Sequence, residues 1–269
     1  MNRIIGLLII IFFSSCNKND IVFPYYISIN DINIDENTTT KITDAWIYID
    51  DNLLGVFELP ANFPALEDGI HKLRIRAGIK ENGISGTRVP YPFYSSFIIE
   101  DFEFNSNQAY SFNPQVNYLQ DLNFFIEDFE GVGLDLETTL ISDTTIIEFN
   151  NLSNSYGGAV LVDSLLTFEL TTDELINLPQ AGAPVYLELD YKSNTQFLVG
   201  VYVNFPQSVL QKDLLWINPK ENWNKIYVNL TPSISEAVGA NFYKVFIKMK
   251  RDFSVDTNSL FFDDIKIVY

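Results

Sequence analysis

The chain has 269 residues, of which 47% are hydrophobic and 14% aromatic, so it has enough apolar side chains to build a folded core. Asp and Glu number 35 against 17 Lys and Arg, which gives a formal net charge of −18. Nucleic acids and anionic lipid headgroups are bound through Lys and Arg, so a chain this acidic is repelled by both. We therefore exclude nucleic acid as a partner. We attribute most of the charge to solubility outside the cell, with cation binding as the alternative.

The N-terminal residues have the pattern of a secretory signal. Arg3 is followed by an unbroken apolar run over residues 4–13 and by two serines that directly precede Cys16. A membrane-spanning helix needs roughly 20 apolar residues, and this run has about half that length. The pattern therefore predicts a signal peptide over residues 1–15 that is removed before Cys16.

Cys16 is the single cysteine of the chain, and the segment that ends at it resembles the lipobox of bacterial lipoproteins. Phe13 stands where such boxes usually carry Leu. The resemblance implies that Cys16 is acylated, with palmitate or a similar chain, and becomes the new N-terminus. Acylation also removes a thiol that would otherwise be reactive in an exported protein. Several acyl chains on one residue suffice for stable anchoring. The alternative is an ordinary secretory signal with an unmodified Cys16.

Residues 16–22 are predicted to form a lipidated polar tether. Lys18 followed by Asp20 resembles the export tag of surface lipoproteins in the Bacteroidetes. The resemblance implies an outer-membrane location with the protein displayed at the cell surface.

Residues 23–113 are predicted to form a small β-sandwich module, because apolar and polar residues alternate there with almost no helical periodicity. Strands over 45–50 and 53–59 flank a tight turn, and a third strand over 70–76 follows a loop with two prolines and precedes Gly78, which we expect to end it. This series resembles the PEGA-type β modules of bacterial envelope proteins, which implies a spacer or docking role. It departs from them at Asn52, where the turn usually has glycine.

Pro114 and the polar stretch to residue 122 predict a domain boundary, and a second β-rich domain follows over residues 123–269. Alternation predicts strands over 184–192, 197–203, 225–230 and 242–250, and weaker signals predict short helices over 172–178 and 232–238.

The second domain begins with NFFIEDFEG, ends with NSLFFDDIKIVY and contains NWNKIYVNLTPSI. These segments resemble the β-jelly-roll domains of the carbohydrate-binding and galactose-binding-like class. The predicted fold class is therefore all-β, with an N-terminal small β-sandwich module followed by a C-terminal jelly-roll sandwich.

The jelly-roll resemblance implies a structural calcium ion between the first and last strands of this domain. Carried over to this chain, Glu130 and Asp263 are the expected ligands, with Glu127 and Asp264 as substitutes. Calcium takes six to eight oxygen ligands, and carboxylates supply them. The alternative is that these acids lie in solvent at strand ends or pair with Lys266. No other cofactor is predicted.

Three predicted strands carry tyrosines next to acids or amides on the side that faces away from the core. Sugar-binding surfaces use such sets, because rings stack on C–H faces while polar groups bind hydroxyls. The alternative is that these side chains cover a second packing layer. The predicted ligand-binding residues are Tyr186, Glu188, Asp190, Tyr202, Asn204, Tyr227 and Asn229.

Three further aromatic features have two interpretations each. Trp216 and Trp223 are predicted in the core or at its rim rather than as ligand platforms. The run Tyr91-Pro92-Phe93-Tyr94 is either an exposed loop that marks a protein contact or a segment packed against its own domain.

The inventory of catalytic residues is poor, and we predict that the protein is not an enzyme. His71 is the single histidine and has no nucleophile turn near it, zinc lacks His or Cys ligands, and no Gly-rich phosphate loop occurs. A carboxylate pair for glycoside cleavage is the remaining catalytic route. The sequence thus predicts an outer-membrane lipoprotein with a binding role, in which the jelly roll captures glycan. The alternative is an accessory protein-binding subunit of an envelope complex for secretion, assembly or uptake.

Overall fold

The computed structural model describes residues 23–34, 38–150 and 154–269. The predicted signal peptide, Cys16 and the tether lie outside the described residues. Within the described ranges almost all regular structure is β-strand, with one short helix, so the predicted all-β class is confirmed. Across the same ranges, no helix has the length and apolar character that crossing a bilayer requires.

Residues 23–34 and 38–122 contain ten strands. They are β1 (Tyr25–Ile29), β2 (Asn33–Ile34), β3 (Asp44–Ile49), β4 (Asn52–Glu58), β5 (Ala61–Ala65), β6 (Gly69–Lys80), β7 (Arg88–Pro90), β8 (Ser96–Phe104), β9 (Ala109–Phe112) and β10 (Gln115–Val116).

These strands build the first sandwich. One sheet has the order β5-β1-β9, with β9 parallel to β1, and the other has the order β4-β3-β6, with β7 and β8 pairing with successive parts of the far side of β6. The predicted turn between β3 and β4 is present, and Asp50 and Asp51 adopt positive φ angles of 47° and 62° there. The prediction that Gly78 ends the third strand is wrong, because β6 continues through it to Lys80 by pairing with β7.

Residues 123–150 and 154–269 contain eleven strands and the helix. They are β11 (Phe124–Glu127), β12 (Leu136–Thr138), β13 (Ile147–Phe149), β14 (Tyr156–Leu161), β15 (Thr167–Thr172), β16 (Tyr186–Ser193), β17 (Phe197–Phe205), β18 (Ser208–Ile217), β19 (Lys220–Asn229), α1 (Thr231–Ser235), β20 (Phe242–Lys250) and β21 (Asn258–Val268).

These strands build the second sandwich from two antiparallel sheets. We call the sheet β13-β14-β21-β16-β19 the docked sheet; β11 adds to it beside the C-terminal half of β21. We call the sheet β12-β15-β20-β17-β18 the open sheet. Alternate residues of both sheets, such as Leu187 and Leu189 opposite Val199 and Val201, share one buried core.

Of the two predicted helices, one is absent and one is present. Residues 172–178 are not helical, because Leu175 pairs with Tyr243 through backbone hydrogen bonds in both directions, at 2.8 and 3.0 Å. The helix predicted from Pro232 is present as the single turn α1, with Pro232 at its start.

The first sandwich packs on the outer face of the docked sheet. Tyr186, Tyr227 and Val268 of that sheet belong to the same buried cluster as Tyr91 and Phe93 of the first sandwich. The predicted boundary segment takes part as well, because Val116 is buried in this cluster and Tyr118 packs against it. The docked sheet is therefore covered on both faces, whereas the first sandwich does not cover the outer face of the open sheet.

Candidate functional site

The predicted ligand face divides between the two sheets of the second sandwich. Tyr186, Glu188 and Tyr227 lie on the outer face of the docked sheet, where the first sandwich covers them. Glu188 is 0% exposed and Tyr227 is 1% exposed. The prediction that these three residues form a free ligand face is wrong, because they form the second packing layer that the alternative interpretation described.

Glu188 is the centre of a buried polar network between the sandwiches. Its Oε1 accepts hydrogen bonds from the hydroxyls of Tyr91, at 2.6 Å, and Tyr118, at 2.8 Å. Lys225 Nζ lies 3.3 Å from Glu188 Oε2. Burial, followed by the neighbouring Glu188 charge, raises the pKa of Tyr91 and of Tyr118 well above the usual tyrosine value. Both phenols therefore stay protonated and donate to the carboxylate.

Asp190 and Asn229 also face the first sandwich. Asp190 accepts a hydrogen bond from Thr39, and Lys225 Nζ lies 3.9 Å from its other oxygen. Burial raises the pKa of Asp190. Asn229 Nδ2 donates to Glu81 Oε1 at 2.9 Å, and Asn229 Oδ1 accepts the N–H group of Thr231 at 2.9 Å, so its side chain fixes the turn after β6. These two residues hold the sandwiches together.

Tyr202 and Asn204 lie on the outer face of the open sheet, where they line a groove of about 930 Å³. We call it the open-sheet groove. Its wall on one side is the segment 137–141, and Val209 of the edge strand β18 forms the other. The groove is lined by Glu137, Thr138, Thr139, Leu140, Ile141, Glu169, Thr171, Tyr202, Asn204, Val209 and Lys244.

Glu169 organises the floor of this groove and is 1% exposed. Its Oε1 accepts hydrogen bonds from the hydroxyl of Tyr202, at 2.9 Å, and from Thr139 Oγ1, at 3.1 Å. Lys248 Nζ lies 2.9 Å from its Oε2. Burial, followed by the hydrogen bond to Glu169, raises the pKa of Tyr202. The tyrosine hydroxyl is thus a fixed donor to a paired carboxylate.

A second ring packs against Tyr202. The centroids of Tyr202 and Phe246 are 4.8 Å apart, and the rings are tilted by 38°. Phe246 fits there because Gly200 has no side chain; a Cβ at that position would lie 2.2 Å from the Phe246 ring. The Tyr202 ring is therefore held by packing against Phe246 and, at its hydroxyl, by a hydrogen bond to Glu169.

The rim of the groove combines charge with apolar surface. Lys244 Nζ pairs with Glu137 Oε2 at 3.0 Å. Leu140, Ile141 and Val209 are exposed large hydrophobic residues. An apolar rim above a polar floor suits a ligand with both hydroxyl groups and C–H faces.

The four predicted calcium ligands have separate protein partners. Glu127 accepts the N–H groups of Phe129, at 2.9 Å, and Asp135, at 2.7 Å, while Glu130 accepts the N–H group of Ser155 at 2.5 Å. Among the described residues, no group of three or more His, Cys, Asp or Glu side chains is placed to hold a metal ion.

The two aspartates of that set lie inside β21, not at a strand end. A β-bulge places them there: Asp190 pairs with Asp263, Glu188 pairs with Lys266, and Asp264 between has a φ of 46°. Asn154 donates to Asp263 at 2.8 Å, and Lys266 lies 3.5 Å from Asp264, as the alternative interpretation described. Calcium binding stays a prediction, which thermal unfolding with and without a chelator tests.

The remaining aromatic candidates are placed as follows. Trp216 and Trp223 are 49% and 45% exposed, so they belong to the rim and not the core. The segment Tyr91-Pro92-Phe93-Tyr94 is not an exposed loop, because its three rings are buried between the sandwiches. The centroid of the Tyr91 ring lies 4.9 Å from that of Tyr227. The segment therefore contacts the second sandwich of its own chain.

His71 lies in the first sandwich, far from the open-sheet groove in the fold. Its Nδ1 is 2.7 Å from Asp50 Oδ2 and its Nε2 is 3.3 Å from the carbonyl oxygen of Asp68. Among the described residues, no hydrogen bond joins it to a Ser or Thr hydroxyl.

Sequence reasoning missed most of the groove. Glu169 is the central omission, together with Thr139 and Thr171. One signal was available: in the segment 167–172, Glu169 alternates with Phe168 and Leu170 on a strand, so it points away from the core while its neighbours are apolar. That Glu169 contacts Tyr202, however, could be inferred only from the order of the strands in the sheet.

Comparison with known proteins gives similarity to solved structures alone. No protein-family profile matches the sequence, and no curated protein matches it. A family 11 carbohydrate-binding module from Clostridium thermocellum, in complex with a β-1,3-1,4-mixed-linked tetrasaccharide, is 12% identical with a TM-score of 0.38, and the match covers 54% of this chain and 94% of that one.

Two further structures match at the same level. The CBM22-2 xylan-binding domain from Paenibacillus barcinonensis is 15% identical, with a TM-score of 0.38 and coverage of 53% of this chain and 97% of that one. A family 29 carbohydrate-binding module from Piromyces equi is 10% identical, with a TM-score of 0.36 and coverage of 55% and 91%. These low identities and TM-scores carry no functional argument, so the interpretation depends on the residues of this chain.

Proposed function

We propose that the open-sheet groove binds a glycan chain and that the protein does not cleave it. The observation that carries the proposal is the fixed ring of Tyr202 on the floor of a groove of about 930 Å³. The ring packs on Phe246, and its hydroxyl donates to Glu169. Such a ring needs no ordering when a ligand binds, which lowers the entropic cost of association.

The chemistry around the ring suits a saccharide. Thr171 offers a hydroxyl group and Asn204 an amide group along the groove, while the apolar rim offers contact for C–H faces. A sugar presents hydroxyl groups at its edges and C–H groups on its faces, so the two kinds of surface match it together.

The carboxylates of the groove support binding over cleavage. Glu137 pairs with Lys244 at 3.0 Å, and Glu169 pairs with Lys248 at 2.9 Å. Glycoside cleavage needs one carboxyl group that gives a proton to the leaving oxygen, and both of these carboxyl groups are already engaged with lysines. The expected result is that no reducing sugar is released from any polysaccharide that the protein binds.

The location is a proposal from the sequence. The lipobox-like ending at Cys16 and the Lys-Asp pair that follows support a lipid-anchored protein at the outer membrane, displayed outwards. Mass spectrometry of the mature N-terminus tests it: acyl chains on Cys16 support the anchor, and a free thiol there contradicts it.

Glycan-array screening of the purified protein, followed by calorimetry on each hit, tests the binding proposal. Tyr202→Ala should weaken the affinity at least about tenfold, since it removes the ring and its fixed hydroxyl. Tyr202→Phe should retain more of the affinity because it keeps the ring. Tyr48→Ala is the matched control, as it removes a half-buried tyrosine from the first sandwich. An array without hits, or a Tyr202→Ala variant that binds like the parent, contradicts the proposal.

A second candidate is the accessory subunit of an envelope complex, because Leu140, Ile141 and Val209 expose apolar surface at the rim. Under this candidate, Leu140→Asp releases a co-purifying envelope protein while no glycan is retained. Under the glycan proposal, the same variant changes glycan affinity and no stable protein complex is recovered.

A further inference from the structure

A second cavity of about 390 Å³ lies between the two sandwiches, away from the open-sheet groove. We call it the lysine cleft. The first sandwich contributes Lys41, Lys80 and the turn after β6, and the second contributes the β18–β19 connection and β19 itself. Its volume lies within the usual range of small-ligand sites, about 300–1,000 Å³.

The charge of the lysine cleft is opposite to that of the chain. The chain has 35 acidic residues against 17 Lys and Arg, yet the described residues that line the cleft include Lys41, Lys80, Lys220 and Lys225 and no Asp or Glu. Burial, followed by the charges of Lys220 and Lys80, lowers the pKa of Lys41. Like charges gathered in this way attract an anion.

Two of the four lysines are engaged elsewhere. Lys225 pairs with Glu188 and Asp190 in the buried network, and Lys80 Nζ lies 2.9 Å from Glu58 Oε1. Lys41 donates to Asn224 Oδ1, which fixes its head group in the cleft without neutralising it. Lys41 and Lys220 are therefore the residues that carry the positive charge of this site.

The walls of the cleft are fixed by the contact between the sandwiches. The Asn82 N–H group donates to the carbonyl oxygen of Tyr227 at 2.8 Å, and the Asn229 N–H group donates to Asn82 Oδ1 at 2.9 Å. Gly83 follows with a φ of 67°, and a Cβ there would lie 3.1 Å from Ile226 Cδ1. The turn is thus seated on β19 in one position, which pre-forms the site.

A half-exposed indole and several amides complete the lining. Trp216 lines the cleft and is 49% exposed, and Asn82, Ser85 and Asn218 line the same cleft. The lysines alone would be enough to bind an inorganic anion. An indole next to amide and hydroxyl groups suits a ring that has both a C–H face and hydroxyl groups.

We propose that the lysine cleft binds an anionic saccharide unit, through Lys41 and Lys220 to its carboxylate or sulfate group and through Trp216 to its ring face. The site is separate from the open-sheet groove: Trp216 stands opposite Leu198 on β17, four residues along the strand from Tyr202. Four residues of strand span about 13 Å.

Calorimetry on the full protein with Tyr202→Ala, which removes the ring of the open-sheet groove, tests the proposal with trigalacturonate, a sulfated galactose trisaccharide and neutral galactotriose as probes. One or both acidic probes should bind, with an affinity that falls as salt rises, and galactotriose should not. The stronger acidic probe identifies carboxylate or sulfate as the recognised group. Equal binding of galactotriose, or no binding of either acidic probe, overturns the proposal.

Three variants locate the site. Lys41→Gln combined with Lys220→Gln should weaken the acidic probe about tenfold, because two charge-assisted contacts are lost. Lys192→Gln is the matched control, since it removes one exposed lysine outside the cleft and should leave the affinity within about twofold. Tyr202→Ala should also leave it unchanged, which separates this site from the groove.

Trp216→Ala separates a saccharide from a simple anion. It should weaken the acidic trisaccharide while inorganic sulfate, measured by competition, is unaffected. If sulfate competes with the same affinity as the trisaccharide and Trp216→Ala changes neither, the assignment to a saccharide is overturned. Unchanged thermal unfolding of the variants shows that they retain the fold.

Discussion

The two sheets of the second sandwich carry similar outward residues and use them differently. Tyr186 and Glu188 alternate along β16 of the docked sheet, and Tyr202 and Asn204 alternate along β17 of the open sheet. The first pair is buried under the rings of Tyr91 and its neighbours, whereas the second pair lines a groove. Alternation therefore shows that a side chain leaves its own core, and it does not show what lies over that side chain.

The physical difference lies in how the polar atoms are satisfied. On the docked sheet, the Tyr186 hydroxyl donates to Glu81, and two tyrosines and a lysine surround Glu188, so protein groups replace water. On the open sheet, the hydrogen bonds and the ion pair of Glu169 involve only residues at the floor of the groove. Asn204 and Thr171 lie outside this network and line the groove. The first arrangement stabilises the pair of sandwiches, and the second presents a surface.

Removing the buried carboxylate of Glu188 should have the largest effect on stability. Glu188→Ala leaves Lys225 buried with only the more distant Asp190 as an ionic partner, and it leaves Tyr91 and Tyr118 without their acceptor. The expected loss in the free energy of unfolding is about 3–5 kcal/mol. Chemical denaturation measures it.

Glu188→Gln is the matched control, since it keeps an acceptor for the tyrosines but not the charge. The double variant Glu188→Leu with Lys225→Met should lose less stability than the sum of the single variants, because neither charge is then left alone. Additive losses would show that the ion pair does not couple the two residues.

Tyrosine deletions on the two faces should differ in whether they mainly affect stability or glycan binding. Tyr186→Ala should lower the free energy of unfolding by about 3 kcal/mol, because it empties a buried ring site, and it should leave glycan affinity unchanged in the folded protein. Tyr202→Ala should cost about 1 kcal/mol, because the ring is only half-buried, and it should weaken glycan binding. Denaturation and calorimetry on both variants measure the two quantities. Loss of glycan binding in folded Tyr186→Ala would remove the distinction between the faces.

Most of the strand pattern could be predicted from the sequence, because one buried face per strand fixes a period of two. The strands containing Tyr186, Tyr202 and Tyr227 are all predicted, and these tyrosines alternate with residues of the buried core. What covers each outward face depends on contacts between residues far apart in the chain. Tyr91 and Glu188 are 97 residues apart, and no local pattern predicts their hydrogen bond.

The groove was predictable only in part for the same reason. Tyr202 and Asn204 share one strand and could be found by alternation. Glu169 contacts Tyr202, and Thr139 contacts Glu169, only because β12, β15, β20 and β17 follow one another in the open sheet. The acids Asp263 and Asp264 show another limit, since they lie at a β-bulge within β21 and not at the strand end that the alternative interpretation described.

Gly200 offers a test within the open sheet. Gly200→Ala places a Cβ within 2.2 Å of the Phe246 ring and 2.5 Å of the Lys212 carbonyl oxygen, so the ring has to move. The expected cost is about 1–3 kcal/mol in the free energy of unfolding. Because Phe246 supports Tyr202, glycan affinity should fall as well.

Gly131→Ala is the matched control, as no atom lies within 4 Å of a Cβ built there. Denaturation and glycan calorimetry on the two variants measure both effects. A Gly200→Ala variant that is destabilised but binds glycan like the parent would show that Phe246 does not position Tyr202.

The smallest effect on stability is expected for the pair of His71 and Asp50. This pair is exposed, in contrast to the buried pair of Glu188 and Lys225. The hydrogen bond between them raises the pKa of His71 and lowers the pKa of Asp50. The histidine contribution is fully present below its unfolded pKa of about 6.5 and is lost as the pH rises through the higher folded value. The aspartate contribution is present above about pH 4 and is lost as the pH falls through the lowered value.

The pair therefore stabilises the fold most between about pH 4 and 6.5. His71→Gln should lower the unfolding midpoint slightly at about pH 5 and leave it unchanged at about pH 9. Other groups titrate in this window, among them Asp263, whose pKa burial raises to about 6. Their contribution cancels because parent and variant are compared at each pH, and the sites lie in different sandwiches. An equal shift at both pH values would mean that His71 acts through packing and not through its charge.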